Sequence, residues 1–203
     1  MEASERVRVH SIITPSEHHI PAIQELDRTT WKDGFQHYDK LYQLYPEGIT
    51  VALADNGTLL GYIAAERLTG QDLTVGAASD FKRSLPPWNH DPDGWHKPYG
   101  SVLYILGHAV LPGYWRRGVS ELIMPNFMYN AENQRDIDTV AVIYHLRHPT
   151  LSNPLKFWGN YGFRPLLETY DPNWKVAPDK TEVGAIVWAR NVRRPSSGTE
   201  SET

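Results

Sequence analysis

The sequence predicts an α/β fold in which a mixed central sheet is flanked by helices. Three observations carry that prediction. Apolar runs suited to buried strands alternate with segments of helical period, in the order β-α-α-β-β, a long connection, then β-α-β-α-β-β. One strand pair is closed by Asp55-Asn56-Gly57, whose Asn-Gly supplies the positive φ angles of a tight hairpin turn. The strands Ser101–Val110 and Thr139–Leu146 are apolar almost throughout, the pattern of strands buried on both faces. At 203 residues the chain has the length of one domain with a proper core. We assign 1–192 to that domain, with a long insertion at 69–100, and read 193–203, rich in Ser, Glu and Thr, as a disordered tail.

The elements follow in order. Val7 to Ile13 forms a short strand that ends at Thr14-Pro15-Ser16. Ser16 can cap a helix running to Trp31, with Ile20, Ile23 and Leu26 near helical spacing, and Asp33-Gly34 breaks it. Tyr38, Leu41, Tyr42 and Tyr45 then stand at i, i+3, i+4 and i+7 of a second helix. The hairpin strands are Ile49–Ala54 and Leu59–Ala65. Thr69 to Tyr99 fits neither period and is rich in Pro, Gly, Asp and Trp, as binding loops often are. A helix from Gly118 to about Gln134 carries an apolar face of Val119, Leu122, Ile123 and Phe127, with Pro125 inside it. A short helix over Asn153–Tyr161 precedes two closing strands, Arg164–Thr169 and Val183–Ala189.

Composition narrows the function. The net charge of −4 argues against a nucleic-acid partner, which calls for a basic stripe. Without cysteine there is no disulfide, no thiolate metal site and no cysteine nucleophile. Met1 to Arg8 does not resemble a secretory signal, and no apolar run approaches the roughly 20 residues that cross a bilayer. No membrane partner and a cytoplasmic location are therefore expected. His90, Asp91, Asp93 and His96 crowd the long insertion with Trp88, Trp95 and Tyr99, but their spacing matches no standard zinc or calcium pattern, and no metal is expected. The insertion is either an aromatic lid over a substrate or a loop pinned by its own aromatic rings.

The segment that carries chemistry is Val110-Leu-Pro-Gly-Tyr-Trp-Arg-Arg-Gly-Val-Ser120, between a buried strand and a helix. The first turn of a helix offers unpaired N–H groups and a partial positive charge. A loop leading there, with Gly118 and the cations Arg116 and Arg117, makes a cradle for phosphates. Taken alone it reads equally as a solvated basic turn.

This segment resembles motif A of the GNAT superfamily of N-acetyltransferases through Val110, Pro112, Tyr114 and Gly118. It departs at Trp115, where Arg or Gln is usual, and at Ser120, where Gly or Ala is usual. Downstream, Pro154-Leu-Lys-Phe-Trp-Gly-Asn-Tyr-Gly-Phe163 resembles motif B, a helix ending in Tyr-x-x-x-Gly-Phe, with Trp158 in place of the Tyr. The resemblance implies a mostly antiparallel sheet with two splayed parallel strands, Ser101–Val110 and Thr139–Leu146, and a coenzyme A arm between them. It implies acetyl-CoA or another acyl-CoA as cosubstrate, and a cofactor site of Val110, Tyr114, Trp115, Arg116, Arg117, Gly118, Val119, Ser120, Asn153 and Trp158. Asn153 serves equally as a helix cap.

The implied reaction is direct attack of a neutral amine on the thioester, the acceptor arriving over the early helices and the long insertion. A small-molecule amine is the expected acceptor, and a homodimer is expected only from the family. Such chemistry needs a base, a carbonyl-oxygen donor and an acid for the thiolate. His108 is a candidate base with a core-packing alternative. His145 is another, though it and Tyr144 point to opposite faces, so that at most one of them lines the cleft. Tyr104, four residues before His108, is read on the same strand face and as packing. The backbone amide of Val110 is the candidate oxygen donor. With an indole at Trp158 unable to serve as acid, that place falls to Tyr161, His148 or bulk water. The rival readings are an acyl-CoA-binding sensor without turnover and a decarboxylase of the same fold.

Overall fold

Strand, helix and loop propensities resolve into one seven-stranded sheet in a computed structural model that describes residues 8–31, 34–70, 89–145, 154–166 and 185–192. The strands are β1 (Ser11–Ile13), β2 (Ile49–Leu53), β3 (Leu59–Leu68), β4 (Val102–Val110), β5 (Thr139–His145), β6 (Arg164–Pro165) and β7 (Ala185–Asn191). The helices are α1 (Ile20–Trp31), α2 (Tyr38–Leu44), α3 (Pro92–Trp95), α4 (Val119–Asn133) and α5 (Pro154–Asn160). In the sheet the strands lie in the order β1-β2-β3-β4-β5-β7-β6. Among the described residues only β4 and β5 pair in parallel; the other pairings are antiparallel.

Each face of the sheet is closed by its own helices. One face packs Leu60, Ile63, Leu103 and Val140 against Val119, Ile123 and Phe127 of α4 and Trp158 of α5. The other packs Val51, Tyr62 and Ala109 against Ile23 and Leu26 of α1 and Tyr38 and Leu41 of α2. The two apolar stripes of α1 and α4 therefore face each other through the sheet, as a two-layer burial of a mixed sheet requires. Pro125 lies inside α4 and removes the hydrogen bond to the Glu121 carbonyl, yet the helix runs on to Asn133.

Several boundaries move. The first strand is confined to Ser11–Ile13, and the helix after Ser16 opens with a 3-10 turn, Glu17–His19, in which the Ser16 amide donates to His19 Nδ1 at 3.0 Å. The second hairpin strand runs on to Leu68, and the last strand sits at Ala185–Asn191. The 193–203 tail lies outside the described residues, as does 71–88 of the insertion.

The downstream end of that insertion is structured. His90 Nε2 lies 2.7 Å from Glu66 Oε1, both side chains being buried. Lys40 of α2 reaches Asp91 at 2.5 Å and Asp93 at 3.3 Å, and the Gln36 amide donates to Asn89 Oδ1 at 2.7 Å. The Lys97 amide donates to the Arg67 carbonyl at 2.8 Å, and Arg67 Nε donates to the Gly100 carbonyl at 2.9 Å. The crowded histidines and aspartates are thus posts that moor the insertion to α2 and β3.

β4 contains the feature that shapes the site. Its register with β3 runs from Val102 to Ile105 against Leu68 to Ala65, then resumes at Gly107 against Ala64, leaving Leu106 as an extra, bulged residue. A one-residue bulge inverts the alternation of side chains beyond it. Before it, Leu103 and Ile105 face α4. After it, His108 and Val110 take that face. Tyr104 packs on the opposite face with Leu68 and Ala141. The expectation that Tyr104 and His108 share a face is therefore corrected, and the bulge is the reason.

Candidate functional site

The parallel pairing of β4 with β5 spans only Val102–Ile105 against Thr139–Val142. Beyond it the strands continue to Val110 and His145 without pairing with each other, each held by its other neighbour, β3 or β7. The separation starts at the bulge. The Leu111 amide donates to the Leu60 carbonyl at 2.8 Å, so by antiparallel alternation the N–H groups of Val110 and His108 turn away from β3. They point to the side from which β5 has withdrawn. A cleft lined on one wall by backbone donors is the result.

His108 is buried, 6% exposed, and its ring stacks on Phe157 at 5.4 Å and meets Trp158 edge-on at 6.1 Å. Among the described residues its Nε2 has no hydrogen-bond partner. Burial in this aromatic enclosure disfavours the imidazolium and pulls its pKa down to about 4. His108 is thus a neutral imidazole near pH 7, on the face away from α1 and α2.

After Val110 the chain makes a 3-10 turn, Pro112–Tyr114, and enters α4 through residues with positive φ, Arg116 at 61° and Gly118 at 88°. At Gly118 a Cβ would meet nothing within 4 Å, so glycine is favoured there by its backbone angle rather than by crowding. Arg116 and Arg117 are exposed, and the Arg117 guanidinium lies 5.9 Å from the Tyr114 ring centroid. Val119 and Ser120, buried, form the first turn of α4. Trp115, the unusual residue, donates Nε1–H to the Val110 carbonyl at 2.6 Å and so clasps the loop to the end of β4.

α5 closes the cleft. Its C-terminus is a left-handed turn at Gly162, φ 79°, in which the Phe163 amide donates to the Trp158 carbonyl at 3.2 Å. Trp158 is 3% exposed and packs edge-on to Phe163 at 5.2 Å. Tyr161 packs against Phe157, and burial, then the Glu121 charge, raise its pKa. His148 and Asn153 lie outside the described residues, as does the side chain of His145.

A second polar cluster, not among the sequence-based candidates, lies across β4. Asp27 of α1, 1% exposed, accepts hydrogen bonds from the Tyr62 hydroxyl and, at 2.5 Å, from the Phe35 amide. The Tyr38 and Tyr62 hydroxyls are 2.9 Å apart. Burial outweighs these bonds and raises the Asp27 pKa to about 6. A Cβ on Gly107 would stand 2.5 Å from Tyr38 Oη and 2.8 Å from Tyr62 Oη. The cluster thus presses on the strand one residue past the bulge. Its signal in the sequence was Asp27 itself, a carboxylate four residues after Ile23 on the apolar stripe of α1.

The architecture is a sheet with one parallel pair that parts at a bulge and leads into a basic loop at a helix N-terminus. This is the GNAT fold. Solved structures of that fold cover most of the chain at low identity. A GNAT-like decarboxylase, GphF, in complex with isobutyryl-CoA is 17% identical, with a TM-score of 0.68 over 91% of this chain and 100% of that one. The loading GNATL domain of CurA from Lyngbya majuscula is 14% identical, with a TM-score of 0.66 over 90% of this chain and 97% of that one. A GNAT superfamily phosphinothricin acetyltransferase from Sinorhizobium meliloti, in complex with AcCoA, is 11% identical, with a TM-score of 0.60 over 95% of this chain and 96% of that one. No protein-family model matches the sequence, and no curated protein is significantly similar to it. Among the described residues no helix is long and apolar enough to cross a membrane.

Proposed function

We propose that this protein transfers an acetyl or other short acyl group from an acyl-CoA to the amine of a small molecule by direct attack. The observation that carries the reading is the parting of β4 from β5 at Leu106, which opens an inter-strand slot ending at the basic loop and the N-terminus of α4. A pantetheine arm needs such a slot, and a pyrophosphate needs such a helix end. Solved proteins of this fold with isobutyryl-CoA and AcCoA bound support the same cosubstrate.

In this reading Tyr114, Trp115, Arg116, Arg117, Gly118, Val119 and Ser120 hold the pyrophosphate, and Asn153 and Trp158 border the pantetheine arm. The Val110 amide, turned into the cleft, donates to the thioester oxygen as it gains charge. His108, neutral in its aromatic enclosure, serves as a wall and N–H donor beside the thioester. Tyr161 is the candidate acid for the departing thiolate, and His145 remains a candidate base on the opposing strand.

Calorimetric titration with acetyl-CoA, followed by turnover on spermidine, phenethylamine, glutamate and a peptide with a free N-terminus, tests the proposal. Binding by the native chain that is lost on R116E/R117E, with turnover on one small amine, is expected. Absence of acetyl-CoA binding sinks it, and tight binding without turnover favours a sensor.

A decarboxylase is the second reading, favoured by His108. A neutral imidazole donor among Phe157 and Trp158 suits a reaction that discharges a carboxylate and leaves an enolate oxygen to be stabilised. Carbon dioxide released from malonyl-CoA in the absence of any amine would establish it.

A further inference from the structure

The slot between β4 and β5 divides the molecule. On one side β1, β2, β3 and β4 carry α4; on the other stand β5, β7 and β6, with the α5 that leads into β6. The sheet joins the two sides over only four residue pairs. A charged strut also spans the division, and its centre is Arg190 of β7. Resting on the acyltransferase reading, we propose that Arg190 is a positioning residue for that reaction, holding the aromatic wall of the slot against β4.

Arg190 stands opposite Val140 of β5. Its Nη1 donates to the Tyr161 carbonyl at 3.0 Å, and its Nη2 donates to Glu132 Oε1 at 2.5 Å. One planar guanidinium therefore ties the turn after α5 to the last turn of α4, a fork that a point charge cannot reproduce. Both acceptors lie at helix C-termini, where the partial negative charge favours a cation. A Cβ on Gly162 would stand 3.5 Å from Arg190 Cδ, so the aliphatic stem lies along the same turn.

The hold on that turn reaches the slot through the rings of α5. The Tyr161 and Phe163 amides both donate to the Trp158 carbonyl, at 3.0 Å and 3.2 Å, so the turn and Trp158 move as one unit. Tyr161 packs on Phe157 at 5.3 Å. Phe157 in turn stacks on His108 at 5.4 Å, and Trp158 meets the same imidazole edge-on at 6.1 Å. Fixing the Tyr161 carbonyl thus fixes the rings that enclose His108. Burial is what lowers the His108 pKa, with no charge contributing, and the titratable side chain on the wall itself is Tyr161. If the strut is cut, α5 loosens from the slot and water reaches the imidazole.

An NMR titration of the His108 imidazole, identified by its loss in His108→Gln, reads the wall without any turnover. In Arg190→Gln the His108 pKa should rise from about 4 toward its ordinary value. With an amine that the native enzyme acylates, kcat should fall by about tenfold or more. Arg190→Lys, which reaches one acceptor at a time, should lie between the two in both readouts. Should Arg190→Gln fail to fold, Glu132→Gln, which weakens the outer arm alone, should move both in the same direction by less. A variant that melts earlier but keeps the native His108 titration and kcat overturns the proposal, leaving Arg190 a stabilising residue only. Native protein that binds no acetyl-CoA removes the acyltransferase reading, and with it the reaction that Arg190 would serve, whatever the titration shows.

Discussion

Two buried titratable side chains, His108 and Asp27, sit on opposite faces of one strand and are shifted in opposite chemical senses by the same cause. Burial disfavours charge, lowering the histidine and raising the carboxylic acid. The histidine gives a stability prediction. Its folded pKa of about 4 lies below the usual 6.5, so as the pH falls through that interval the unfolded chain takes up the proton first and stability is lost. Between pH 8 and pH 5 the loss attributable to His108 is about 2 kcal/mol. Urea unfolding across that range should show a shallower decline for His108→Gln than for the native protein. Parallel curves would mean that the imidazole is solvated.

The elements show where sequence patterns suffice and where they stop. The Asn-Gly hairpin, the amphipathic α1 and α4, and the Gly162 helix end were legible because each follows from a local rule of φ angle or period. The bulge was not. A strand buried on both faces, such as Tyr104-Ile-Leu-Gly-His108, carries no polar alternation that could betray an inserted residue, so the facing of His108 was not written in its neighbours. Trp115 was legible as a departure but not as a clasp, since its hydrogen bond to Val110 depends on how the 3-10 turn folds back. The clasp is testable. Trp115→Phe keeps an aromatic ring and loses the 2.6 Å bond, worth about 1 kcal/mol, so acetyl-CoA affinity should fall about fivefold in calorimetry. Unchanged affinity would show that the loop is held by other contacts.

For the molecule as a whole, a cofactor that fills the gap between β4 and β5 would join two halves of the sheet that otherwise meet over four residue pairs. Binding to the folded state alone stabilises by about 2.7 kcal/mol at a hundredfold excess over Kd. For a chain of 203 residues that corresponds to a rise in Tm of about 5–10 °C, readable by differential scanning fluorimetry with acetyl-CoA. A shift with acetyl-CoA and none with a simple pyrophosphate would assign the effect to the arm in the slot rather than to the basic loop.

The mooring of the insertion has a kinetic meaning. The Lys97 amide is bonded to the Arg67 carbonyl of β3, and the Arg67 side chain returns to Gly100. Breaking that lashing away from the sheet would also uncover the Glu66 carboxylate beside His90. In hydrogen–deuterium exchange, the Lys97 amide should therefore trade its proton on the slow clock of β3 and β4. A stretch that sequence assigns to a loop would keep time with the core.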